Sequence, residues 1–401
     1  MSSATPALEA SSERVTISCS PHTASVPWYI WIGVIALTLT DIGGQWDVSW
    51  HRSIGRDTFW TPPHVAIYLG AILVGIAGTW LLLSATFGRS QKALELRAVS
   101  VGVLGLRAPL GVFLAGWGGV TMLTSAPFDN WWHSAYGLDL KIVSPPHTLL
   151  LLGIRAVSFG MLLLILAEMN RAALSGASNL KTLRILFLYL GGLAVCSQMF
   201  YIQFKIGDIF LHRSTPYCYI GLAMPVLFAA FSQASRLRWA ATATAAVYVF
   251  FVIAEILILP LFPATPRVGP VYNEVTHLIP GRFPILIVLP ALALDLLWYC
   301  VRTWRLWQIA LVSGVVFVVV LFAIEWPFAN FLMSHASQNR FFGTMYIDYN
   351  TNPFGWDRDR RFFFPEHGLV LLRGLALAVC CAIVSTAIGL GFGRWMRGVQ
   401  R

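Results

Sequence analysis

The sequence predicts an all-α fold: a polytopic membrane bundle of about ten transmembrane helices arranged in five hairpins. Three observations predict it. The chain of 401 residues is 57% hydrophobic and only 11% charged, whereas soluble domains carry about 25% charged residues. Apolar runs of roughly 20 residues recur along its length, enough to cross a bilayer as helices. The runs lack the period-2 alternation of a membrane β-barrel.

The expected spans are 26–45, 63–86, 106–125, 146–168, 183–204, 216–234, 239–261, 282–301, 305–326 and 367–392. Several even-numbered spans open at proline, as at Pro62-Pro63, Pro145-Pro146, Pro216 and Pro365. Proline suits a first helical turn, where no backbone donor is needed. The organisation that follows is a polar tail over 1–24, two hairpins over 25–169, a four-span middle bundle over 170–304, and a last hairpin over 305–401 with a long loop at 327–366. The tail lacks the basic start and apolar core of a cleaved signal peptide. The first span is therefore expected to act as an uncleaved anchor.

The net charge of +10 sits largely in the short links between hairpins, which hold Arg89, Lys92, Arg97, Arg107, Arg171, Lys181, Arg184, Arg236, Arg238, Arg302 and Arg305. By the positive-inside rule these links and both termini face the cytoplasm, as in a bacterial inner-membrane protein. The basic charge is thus read as topology and lipid contact, and no nucleic-acid partner is expected. The six cysteines form no CxxC pair and read as small core residues.

Eight of the nine histidines fall on the side opposite the basic links. Four belong to a duplicated pattern. Asp47 and His51 are followed by Thr61-Pro62-Pro63-His64; Asp129 and His133 are followed by Ser144-Pro145-Pro146-His147. The copies are 82 residues apart, giving a weak repeat of about 80 residues. On a helix, positions i and i+4 share a face. Each Asp-x3-His therefore offers two ligands from one helix end, and the Pro-Pro-His histidine joins from the start of the next antiparallel helix. One carboxylate and two imidazoles suit Cu, Zn or Ni, and also Fe(II) oxygen chemistry. The six candidate metal ligands are Asp47, His51, His64, Asp129, His133 and His147.

Other polar residues are weaker candidates. Asp208 and His212 echo the pattern, with Tyr217 where the next histidine would stand. Glu274 with His277, and Glu366 with His367, read as ion pairs or a proton path; His335 has no assigned part. Asp41 is expected to orient a ligand imidazole. Glu255 and Asp295 are intramembrane acids with no assigned role, and Arg155 and Arg373 are each expected to pair with an acid. The aromatic loop 327–366 is expected to cover the sites.

Asp-x3-His-x12-His, followed by an acidic or amide residue-x3-His-x13-His, is similar to the copper-ligand pattern of the C subunit of particulate methane and ammonia monooxygenases. The likeness covers about residues 40–150. It implies copper at Asp47, His51 and His64 and at Asp129, His133 and His147. It further implies O2 chemistry on a small apolar or weakly polar substrate, additional oxygenase subunits, and a quinol or other electron donor. The ligand set alone leaves zinc and iron open. Three other readings compete: a copper or zinc transporter or metal-handling protein, a non-redox membrane transferase, and a bis-histidine haem protein. A transporter needs ligands in steps through the membrane, but these cluster on one face. A transferase leaves the paired histidines unexplained, and haem needs histidines deeper in facing helices.

Overall fold

The computed structural model describes residues 25–55, 60–137, 144–206, 211–267, 275–281, 284–339, 341–342 and 365–400. Eleven helices run in chain order: α1 (Trp28–Ser53), α2 (Pro62–Phe87), α3 (Gln91–Ala98), α4 (Leu110–Tyr136), α5 (Pro145–Ser175), α6 (Leu180–Ile206), α7 (Ser214–Ser235), α8 (Ala240–Ile258), α9 (Val288–Cys300), α10 (Leu306–Leu332) and α11 (Gly368–Met396). A small hairpin of β1 (Val101–Val103) and β2 (Leu106–Ala108) separates α3 from α4. The chain is an all-α polytopic membrane bundle. Among the described residues, eight helices are long and apolar enough to cross a membrane. α1 is equally long but carries Asp41, Gln45, Asp47 and His51, and α9 is a shorter apolar helix.

Several expected boundaries shift, each for a local reason. The third span does not begin at 106, because Leu106–Ala108 pairs with Val101–Val103 and the helix starts only after Pro109. The eighth span is helical only over Val288–Cys300. Thirteen residues rise about 20 Å, short of a hydrocarbon core of about 30 Å. Pro280 and Pro284 precede it, and each lacks the donor that a helix interior requires. At the other extreme, α1, α4 and α10 run past their apolar stretches. Asp47, His51, Asp129 and His133 therefore lie inside helices, and Pro327 belongs to α10 instead of a loop.

Small residues set the helix pairs, as lipid-embedded packing requires. In α1–α2, Gly43 lies against Pro63 and Ile67, and Gly70 against Ala36 and Thr40. In α4–α5, Gly118 faces Gly153 and Val157, and Gly160 faces Gly111 and Ala115. Both pairs are antiparallel hairpins that position the duplicated pattern. The later helices interlock instead of closing on their sequence neighbours. α7 makes its most extensive contact with α11 and α6 with α8. Gly221, Gly389 and Gly393 seat α7 against α11 with residue numbers rising together, so this pair is parallel.

The two ends of the bundle differ in chemistry. At the basic end, Arg97 donates to the carbonyl oxygens of Ala85, Thr86 and Gly88 at 2.7, 2.9 and 3.0 Å, closing the C-terminus of α2. Asp295 accepts from the backbone N–H groups of Ala241 and Thr242 and from the Thr242 hydroxyl, which gives this acid a role as the cap of α8. Arg155 donates to the Ser197 carbonyl at 3.2 Å instead of to an acid. The opposite end, called here the histidine end, gathers the eight histidines of the described residues. It also holds tryptophans such as Trp50, Trp60, Trp131 and Trp132, an aromatic belt at a membrane interface.

Candidate metal centre

Local sequence chemistry places each ligand. Thr61 precedes Pro62-Pro63 at the start of α2, and its side chain accepts from the backbone N–H of His64. Ser144 does the same for His147 at the start of α5. In both, a Ser/Thr cap satisfies the third helical N–H and the prolines fill positions that need no donor. The histidine is thereby fixed in the first turn, facing the preceding helix across a tight Gly-lined contact. Asp47 and His51 lie one turn apart on α1; Asp129 and His133 lie one turn apart on α4.

The first triad closes around one oxygen. Asp47 Oδ1 is 3.3 Å from His51 Nε2 and 3.1 Å from His64 Nε2. One ligand atom from each residue lies within 4.8 Å of the others, a group that could hold a metal ion. Asp47 Oδ1 is buried and has no properly oriented hydrogen bond although two imidazole nitrogens approach it. Three donor atoms converging without hydrogen-bond geometry fit a cation between them, and two nitrogens plus one oxygen suit Cu(II), Zn or Fe(II).

The second triad repeats the arrangement less tightly. Asp129 Oδ1 is 3.3 Å from His133 Nε2 and 3.7 Å from His147 Nε2. His133 Nδ1 lies 3.2 Å from the Gly137 carbonyl oxygen, which only accepts, so Nδ1 carries the proton. Nε2 then faces the buried, unbonded Asp129 Oδ1. A cation held between that nitrogen and that oxygen would satisfy both. Ser144 Oγ, 2.9 Å from His147 Nδ1, fixes that ring from behind. Asp41 does not serve His51 in this way: His51 Nδ1 has no hydrogen bond, and Asp41 Oδ2 is likewise buried without one.

The residue that sequence reasoning missed is Tyr68. It lies one turn after His64 on α2, its ring 6.5 Å from the His64 ring. Its hydroxyl is 3.3 Å from Ser125 Oγ, one turn before Asp129 on α4. The charges of both Asp47 and Asp129 act on it. Tyr68 and Ser125 thus bridge the two triads. The i+4 step from each ligand was visible, but not that α2 meets α4.

The weaker candidates assemble elsewhere. His212 Nε2 bonds Asn330 Oδ1 at 2.8 Å, and its ring lies edge-on to Trp326. The Glu366 N–H donates to the His212 carbonyl, and the Glu366 carboxylate accepts from the Ser214 N–H, capping α7. The third echo and the fifth hairpin therefore meet in a hydrogen-bonded network. Burial lowers the His212 imidazole below the ordinary histidine range; nearby His367 adds to this and the Asn330 bond opposes it. His277 joins the histidine end through a bridge to Pro263, and His335 begins a short turn after α10. Asp208, Glu274 and most of the expected covering loop lie outside the described residues.

An apolar crevice lies between α1, α2, α4 and α5, lined by Tyr29, Gly33, Val74, Ala77, Val112 and Met161. These residues belong to the basic-end half, away from the triads. No family model, curated protein or solved structure matches the chain.

Proposed function

We propose that this chain is a membrane copper-binding oxidoreductase resembling a monooxygenase subunit, with two Asp-His-His centres. Asp47, His51 and His64 would hold one copper, and Asp129, His133 and His147 a second. The observation that carries this reading is the convergence of Asp47 Oδ1 with two imidazole Nε2 atoms at 3.3 and 3.1 Å. The duplicated spacing and its likeness to the particulate monooxygenase C subunit support copper over zinc or iron. Copper, when bound, supplies O2 binding and one-electron redox chemistry.

The chain's own residues do the rest. Thr61 and Ser144 hold the helix-start histidines in place. The Gly137 carbonyl sets the His133 tautomer. Tyr68 and Ser125 keep the two centres in fixed register. Trp46 and Trp50, with Phe128, Trp131 and Trp132, screen the helix ends at the interface. The substrate is a small apolar or weakly polar molecule arriving through lipid. Electrons come from a quinol or another donor, and further oxygenase subunits are partners. The basic links and termini face the cytoplasm, which directs the centres outward.

A second reading is metal storage or loading without oxygenase activity. It needs only the converging ligands of the triads and no substrate path. One experiment separates the readings. Metal content and EPR are measured on membrane-extracted wild type and on Asp47→Ala/Asp129→Ala, followed by quinol-dependent O2 consumption. A copper signal lost in the double variant, with O2 uptake in wild type, supports the oxidoreductase. Copper without O2 uptake supports storage, and zinc or no bound metal sinks both copper readings.

A further inference from the structure

At the basic end, away from the triads, two arginines from separate links meet on one tyrosine ring. The Arg238 guanidinium carbon lies 4.0 Å from the centre of the Tyr299 ring and 4.9 Å from that of Trp239. The Arg302 guanidinium carbon lies 4.4 Å from the same Tyr299 ring. Arg238 belongs to the link between α7 and α8, Tyr299 to the last turn of α9, and Arg302 to the link between α9 and α10. Hydrogen bonds fix this frame. Asp295, one turn before Tyr299, accepts from the Thr242 N–H at 2.8 Å and ties α9 to the start of α8. Trp298 donates from Nε1 to Ser313 Oγ at 2.9 Å and ties α9 to α10.

The local chemistry is short of an anion. Neither guanidinium forms a hydrogen bond or an ion pair among the described residues. Asp295, the acid of α9, is 2% exposed and committed to the Ala241 and Thr242 donors of α8. Cation–π attraction seats each guanidinium on the ring. It leaves their forked N–H donors unused, and two like charges at one ring repel. A phosphate placed between them accepts from both and removes that repulsion. The rim is aromatic: Trp239, Tyr299, Trp304 and Trp307 are all exposed, as at a headgroup layer. From Trp307 an exposed apolar stripe runs along α10 through Leu311, Val315 and Val319, each one turn further into the bundle. Such a stripe suits an acyl chain, and a free phosphate would have no use for it.

We propose that Arg238 and Arg302, mounted on Tyr299, form a binding site for the phosphate of an anionic phospholipid whose acyl chain lies along Leu311 and Val315. A zwitterionic headgroup fits less well, because its own cation would meet two arginines. The site differs from the general attraction of basic links to anionic lipid, because it needs both guanidiniums on the one ring. The bound lipid bridges the α7–α8 and α9–α10 links, and the site does not depend on the metal reading.

The test is a titration of the full chain in detergent micelles with phosphatidylglycerol, read by native mass spectrometry, with phosphatidylcholine as the comparison lipid. Wild type is expected to retain phosphatidylglycerol in preference to phosphatidylcholine. R238Q and R302Q should each weaken retention about tenfold, through the loss of charge-assisted hydrogen bonds. Y299L keeps both charges but removes their common ring, so it should weaken retention as well. R89Q, which removes an equal charge from another basic link, should not. Helicity and thermal midpoint are followed for each variant, and the exposed arginines are expected to leave both unchanged. Equal retention of the two lipids by wild type, or equal weakening by R89Q, would reduce the site to general charge attraction and overturn the proposal. So would unchanged retention in the R238Q/R302Q double variant, or displacement of phosphatidylglycerol by inorganic phosphate, which would make this a free-anion site.

Discussion

Tyr68 Oη and Ser125 Oγ lie 3.3 Å apart, one helical turn from His64 and from Asp129 respectively. This contact joins two triads whose sequences are 82 residues apart. It places the two triads side by side across the contact of α2 with α4. Tyr68→Phe is expected to leave both metals bound and to cost about 1 kcal/mol of stability, the net worth of one hydrogen bond. Any magnetic interaction between the two metals should weaken. Metal analysis, thermal unfolding and EPR of the variant check this; loss of metal from both triads would instead make Tyr68 a ligand.

The triads differ in tightness, and this predicts an order of filling. Asp47 Oδ1 sees its histidines at 3.3 and 3.1 Å; Asp129 Oδ1 sees its own at 3.3 and 3.7 Å. In a copper titration of apo protein, the first equivalent should occupy the Asp47 triad. His51→Ala should abolish that tight step, and His133→Ala only the later one. Each loss should exceed the roughly 10–100-fold cost of removing an outer partner. Equal weakening of both steps by either variant would show that the triads are not separate sites.

The caps act on affinity through position. Thr61→Ala or Ser144→Ala removes a cap worth about 1 kcal/mol. It also frees the first turn that carries His64 or His147. Copper affinity is expected to fall about tenfold for the local triad, with Ser reversing the Thr61 effect. Isothermal titration on Thr61→Ala and Thr61→Ser decides it; equal affinities would mean the ring is held by something other than its cap.

Packing of α4 on α5 supplies a sharper contrast. A Cβ on Gly118 would sit 2.6 Å from the Val157 backbone nitrogen, whereas Gly116 faces open space. Gly118→Val should destabilise by about 1–3 kcal/mol or more and empty the Asp129 triad, because His133 and His147 ride on the separated helices. Gly116→Val should do neither. Thermal midpoints and metal content of the two variants are the check, and similar behaviour would refute the close contact.

The His212 network predicts a pH effect. Burial holds this imidazole below its ordinary range, so the unfolded chain binds the proton more readily. Stability is then fully present above the unfolded histidine value of about 6.5 and declines as pH falls below it. Melting in detergent between about pH 7.5 and about pH 5.5 should show this decline, and His212→Gln should flatten it. A variant with the wild-type slope would place the titration elsewhere.

Much of the centre was legible because its rules are local. Asp47-x3-His51 needs only helical periodicity, and Thr61-Pro62-Pro63-His64 needs only N-cap chemistry. The boundaries that shifted did so where local rules compete. Leu106–Ala108 is apolar enough to continue a span, but its pairing with Val101–Val103 wins before Pro109. The stretch before Val288 is apolar too, yet Pro280 and Pro284 deny it the donors of a helix. Asp41 looked like a partner for a ligand imidazole because it lies nearby in sequence. Six residues along a helix turn it to another face.

The sequence by itself determined the membrane class, the helix positions and the composition of both triads, since apolar run length, i+4 spacing and capping act within a few residues. The tertiary structure alone decided that α7 lies parallel to α11, that Tyr68 meets Ser125, and that Glu255 of α8 and Glu325 of α10 accept from backbone N–H groups before α9. In lipid no hydrophobic force draws sequence neighbours together. Helices pair where small residues allow close backbone approach, and those surfaces, at Gly118, Gly389 and Gly393, find partners regardless of their distance along the chain.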